Sequence, residues 1–123
     1  MYNHNNSKIQ NEILSCVIKT VQDKKGSEIL SLNLSKIQYA VTDYFVICHA
    51  NSKTHVNAIA DHIIENVQSE TGNKVYHCEA FENSEWILID YVDVVVHVFL
   101  NTTRSFYQLE DLWADAEIVA HDE

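Results

Sequence analysis

The chain carries seven histidines, three cysteines and eighteen carboxylates in 123 residues, so metal, nucleophilic and acid–base chemistry must each be judged by spacing. His55 and His62 stand seven apart on a helical stretch and can share a face, but no Cys or Asp at i+3 or i+4 completes a ligand set. His77 and Cys78 are neighbours on a strand, as are Cys48 and His49, so each pair points to opposite faces. No metal and no nucleophile–base pair is expected. His97, inside an apolar strand, reads as a neutral imidazole hydrogen-bonded in or near the core.

The carboxylates leave one enzymatic alternative. A nucleotidyltransferase holds two magnesium ions with closely spaced carboxylates after a Gly-Ser turn. Here Asn51 precedes Ser52, no D-x-D or D-x-E follows on the next strand, and Ser52 is better placed to cap a helix. Asp43, Asp90 and Asp93 are the ligands such an enzyme would have to use. No phosphate-cradling glycine loop is present, and no catalytic residue or cofactor is assigned. An interaction surface remains. Trp86 and Tyr91 bracket a strand, and Asp90 and Asp93 flank Tyr91 and the reversal after it. Aromatic anchors beside carboxylates suit a basic protein partner, because the rings supply buried contact while the charge steers approach.

Composition agrees with that choice. The net charge is −10, and residues 105–123 contain six carboxylates and no Lys or Arg. A nucleic-acid backbone repels such a surface, so sequence-specific nucleic-acid binding is not expected. No apolar run approaches the ~20 residues of a membrane span, and the first ten residues lack the regions of a signal peptide. The three cysteines are widely spaced and read as reduced, in a cytoplasmic protein.

The elements that would position these residues follow from periodicity. Ile9, Ile13, Cys16, Val17 and Val21 form a helical stripe over about residues 8–24, with Ser7 and Gln10 as a capping box and Lys24-Lys25-Gly26 as the stop. Leu30, Leu32 and Leu34 alternate with polar residues as a half-buried strand, and Tyr44–Cys48 is a continuous interior strand. A second helix runs from Asn51-Ser52 to Thr71-Gly72 with Val56, Ile59, Ala60, Ile63 and Val67 inward. Strands then follow over 75–81, 86–89 and 94–99, and a short helix holds Trp113. The order predicts one α/β domain over 1–123, core about 8–116, between a short polar N-terminal tail and an acidic C-terminal one. Its mixed sheet has about five strands, with two long helices on one face.

The stretch W-I-L-I-D-Y-V-D-V-V-V-H-V-F, followed by R-S-F-Y-Q-L-E-D-L-W-A-D-A, resembles the signature of the Iojap-like ribosomal silencing factors. Thr42-Asp43-Tyr44-Phe45-Val46-Ile47, Asn51-Ser52 and Ala58-Ile59-Ala60-Asp61 match a second segment. The resemblance implies a nucleotidyltransferase-like topology without the activity, and a homodimer when free. It also implies docking on the large ribosomal subunit, through a basic ribosomal protein at the face that meets the small subunit, so that subunit joining and translation are repressed. Carried over residue by residue, the contacts are Trp86, Asp90, Tyr91, Asp93 and Tyr107. The family's glycines are replaced here at Ala50, Ala80, Ser84 and Val92, which bears on local turn geometry.

Overall fold

A computed structural model describes residues 4–121, excepting the side chains of residues 4–7. Helix α1 is His4–Asp23, followed by strands β1 (Ser27–Asn33) and β2 (Tyr44–Ala50) and helix α2 (Lys53–Thr71). Strands β3 (His77–Phe81), β4 (Trp86–Asp90) and β5 (Val94–Leu100) come next. Two short helices, α3 (Asn101–Tyr107) and α4 (Leu109–Leu112), lead to a last strand, β6 (Glu117–Ala120). The six strands lie in the order β3-β4-β5-β2-β1-β6. β2 and β5 are parallel and the other neighbours antiparallel.

The α/β class, the mixed sheet and the two long helices on one face are as the periodicity predicts. Ile13, Val17 and Val21 of α1 and Val56, Ile59, Ile63 and Val67 of α2 pack on Val46, Ile87, Ile89, Val94, Val96 and Val98. Each residue of the α2 stripe is buried, and Ser52 caps that helix by accepting from His55 N at 3.1 Å. Strands alternate their side chains, so the other sheet face carries Leu32, Ile47 and Phe99, with Phe45 and Trp86 partly buried beside them. Ile37, Leu109, Trp113 and Ala116 cover part of this second face.

Three expectations are corrected. The sheet has six strands, because Ile118 and Val119 pair with β1 where the acidic composition suggested a tail. His121 fastens that strand: its N–H donates to Ile29 O at 2.8 Å and its Nε2 lies 2.7 Å from Ser31 Oγ. The terminal helix is two helices, broken at Gln108 in the left-handed region (φ 47). Helix α1 begins at His4, so Ser7 falls inside its first turn and is not the N-cap; its side chain lies outside the described residues.

The α1 stop uses its glycine for a different reason than a left-handed turn. Lys25 takes the positive φ of 66, while Gly26 N–H reaches Val21 O at 2.9 Å and Lys25 N–H reaches Gln22 O at 3.1 Å. This is the paired-bond helix ending that satisfies two terminal carbonyls. A Cβ on Gly26 would fall on Val21 Cγ1, and Val21 is fully buried with no room to yield. Gly26→Ala is therefore expected to destabilise the fold by about 1–3 kcal/mol, read as a lower denaturant midpoint at unchanged slope.

Candidate docking face

Register fixes which residues share the second sheet face. Trp86 lies opposite Phe81 and Phe99, Leu88 opposite Glu79 and His97, and Asp90 opposite His77 and Val95. Trp86, Leu88 and Asp90 thus form an outward stripe on β4, with the buried Ile87 and Ile89 on the reverse. Toward β1 and β2 this face is roofed by Trp113, which stacks on Tyr39 at 5.4 Å and meets Phe45 edge-on at 5.5 Å. Toward β3 the roof ends: Phe81, Trp86, Leu88 and Asp90 are partly exposed, and His77 and Glu79 are exposed.

Trp86 is held rather than loose. Its ring centroid is 5.0 Å from Phe99 and 5.1 Å from both Phe81 and Tyr107. Its Nε1–H donates to His97 Nδ1 at 3.1 Å. Tyr107, at the end of α3, is thereby joined to Trp86, with the exposed Phe106 edge-on beside it. A hollow of about 280 Å³ lined by Glu82, Glu85, Phe106 and Tyr107 opens next to them. As expected for an interior strand, His97 is buried, and burial pushes its pKa down to about 3, so the ring is neutral.

The acidic corner sits at the other end of β4, about 13 Å along the strand from Trp86. Asp90 Oδ1 accepts from Val92 N at 2.7 Å, and Thr42 Oγ1 donates to Val92 O at 2.9 Å. The exposed Asp93 has a raised pKa, first from partial burial and then from the Asp43 carboxylate. Asp43 is itself tied to α1 by Gln10 Nε2 at 2.8 Å. Of the five residues selected from the sequence, Trp86 and Tyr107 are in contact at one end, and Asp90 and Asp93 share the other. Tyr91 is apart from both: its ring is 7% exposed and packs in the helix-side core, where burial raises its pKa. It offers no surface.

Leu88 and Phe81 escaped the sequence reading, although counting by two from Trp86 would have found Leu88. The second omission is the setting of Arg104, an α3 residue whose side chain is buried. Its Nε donates to Glu110 at 3.0 Å, and its Nη1 to Glu28 O at 2.8 Å and His49 Nδ1 at 2.9 Å. Among the described residues no group of three or more His, Cys, Asp or Glu is placed to hold a metal ion. No helix among them is long and apolar enough to cross a membrane.

Of the four positions where the resemblance implies a glycine, Ser84 (φ 68) and Val92 (φ 76) occupy the left-handed region; Ala50 and Ala80 do not. A β-branched residue at such a φ is strained, and Val92 is 53% exposed, so it recovers little by packing. Val92→Gly should raise stability by about 1 kcal/mol, net of glycine's greater unfolded-state freedom. Thermal melting checks this, and a lower midpoint would show that the turn has adapted to valine.

Residues 7–123 match the family described as "Ribosomal silencing factor during starvation". A "Ribosomal silencing factor RsfS" of Halalkalibacterium halodurans is 43% identical over 88% of this chain and 91% of its own length. That of Bacillus subtilis is 42% identical over 92% and 94%. A crystal structure of a Chromobacterium violaceum protein superposes with a TM-score of 0.78 at 33% identity, over 85% of each chain. The chain belongs to the ribosomal silencing factor (RsfS/Iojap) family.

Proposed function

We propose that this protein represses translation by docking on the large ribosomal subunit at the face that meets the small subunit, so that the two cannot join. The contact is the unroofed part of the sheet, and the partner a basic ribosomal protein. The observation that carries this reading is the stripe Trp86-Leu88-Asp90. Partly exposed apolar side chains there continue into an acidic corner, on a chain of net charge −10. A ring clamped by its neighbours loses little entropy on binding, which makes it a good anchor. Carboxylates at the rim accelerate encounter with a cationic surface. Trp86, Asp90, Asp93 and Tyr107 are the proposed contacts, and Tyr91 supports the turn from beneath. The protein works in the cytoplasm and, when free, as a homodimer.

The test is sedimentation with purified large subunits, together with inhibition of subunit joining, for wild type, Trp86→Ala and Asp93→Arg. Trp86→Ala should weaken docking by about 2 kcal/mol or more. Asp93→Arg should slow association and make it less sensitive to salt. Melting curves identify any loss due to unfolding. Two folded variants that bind and inhibit like wild type would place the contact elsewhere.

Catalysis is not part of the reading. Asp43 and Asp93 are neighbours, but the Asp90 carboxylate is engaged with its own turn. Calorimetry with ATP or GTP at millimolar concentration and magnesium is expected to give no saturable heat. A saturable one would favour the enzymatic alternative.

A further inference from the structure

We propose that His97 is a positioning residue for docking: its Nδ1 lone pair fixes the plane of the Trp86 indole, so that the anchor is presented preformed. The inference rests on the docking reading above and adds the residue that sets its geometry. An indole N–H can only donate, so the 3.1 Å contact requires Nδ1 to accept. The proton of a neutral imidazole must then sit on Nε2. That atom is buried and has no hydrogen-bond partner among the described residues.

A buried donor without a partner is a cost that leucine or phenylalanine at position 97 would avoid. Its neighbours along β5 are all apolar, and aromatic rings surround it, with Phe45 at 4.6 Å and Trp86 at 5.8 Å. Packing therefore does not call for an imidazole, whereas the indole does. His97 is the diagonal cross-strand neighbour of Trp86, two pairs along from the Trp86–Phe99 pair and on the same sheet face. From there a short, stiff side chain reaches the indole nitrogen while Phe99, Phe81 and Tyr107 hold the ring's body. Burial keeps the imidazole neutral. A charged ring would have no lone pair to offer.

Two kinds of measurement test this. In wild-type protein, nitrogen NMR should show His97 as the Nε2–H tautomer, with a scalar coupling across the hydrogen bond between Trp86 Nε1 and His97 Nδ1. His97→Phe keeps an aromatic ring at the position and removes the acceptor. His97→Asn places an amide oxygen near the position of Nδ1. The phenylalanine variant should lose the downfield indole N–H signal and its exchange protection, and bind purified large subunits about tenfold more weakly. The asparagine variant should recover the indole signal and most of the binding. The proposal is overturned if wild type shows the Nδ1–H tautomer, or if the phenylalanine variant loses the indole signal yet binds undiminished while Trp86→Ala does not bind. If Trp86→Ala itself binds like wild type, the docking reading fails, and the positioning role fails with it even where the coupling is present.

Discussion

Arg104→Ala is expected to cost about 3–5 kcal/mol of folding stability, the range for removing one partner of a buried ion pair. The guanidinium side chain is 8% exposed and the Glu110 carboxylate it binds 24%. Alanine would leave that carboxylate, the Glu28 carbonyl and His49 Nδ1 without their donor. The second oxygen of Glu110 has no partner among the described residues, so little is available to compensate. The loss should appear in chemical denaturation. A matching Glu110→Gln variant should lose less, because an amide oxygen still accepts from Nε. Equal, small losses in both variants would mean that the network contributes only geometry. Arg104 also joins the start of β1 to α4, so its removal should loosen the roof over the second sheet face before the helix-side core. Hydrogen exchange at residues 109–120 would report that order.

Acid should destabilise the fold through its buried histidines, and His97 most of all. Its pKa falls from 6.5 to about 3 on burial, so between those values the unfolded chain binds a proton that the folded chain refuses. Above pH 6.5 both states are neutral and the group contributes no slope. Below it, stability falls by about 1.4 kcal/mol per pH unit, or about 3 kcal/mol over two units. His49 adds to the loss, its pKa lowered first by burial and then by Arg104, with Glu28 and Glu110 opposing. Asp93 acts in the opposite sense: its raised pKa lets the folded state take up a proton first and gain slightly on acidification. Urea titrations from pH 7 to pH 4.5 on wild type and His97→Phe measure the slope. It should flatten markedly in the variant even though the indole has lost its acceptor.

Legibility in the sequence followed the strength of local pattern. Helix α2 was readable residue by residue because a five-membered stripe and a Ser cap coincide with the Gly72 stop. Strands β4 and β5 announced themselves by β-branched runs. What failed did so where tertiary contact overrides composition. Glu117-Ile118-Val119-Ala120 looks like an acidic tail until β1 supplies a partner for its backbone. Gln108 carries no signal that it will break a helix. The candidate face was half legible. Trp86 and the Asp90/Asp93 corner stood out by type, but Tyr91 looked equivalent to them. Its inward direction continues the alternation of Ile87 and Ile89, the face opposite to Trp86, Leu88 and Asp90. The Arg104 cluster joins residues from four separate elements, and no spacing rule connects them.

The pairing of β1 with β6 has a kinetic consequence. Ser31 and His121 are 90 residues apart and meet in the finished sheet, and such closures are slow because the intervening chain must be ordered before the contact is made. On a chain growing from its N-terminus, α1, β1, β2 and α2 are available well before α4, Trp113 and β6. Until these follow, the outer edge of β1 is open and Leu32, Ile47 and Phe45 lack their roof. The nascent chain therefore passes through a stage with an unpaired strand and an uncovered apolar face. Protection during synthesis then depends on how quickly the segment carrying α4 and β6 follows and closes.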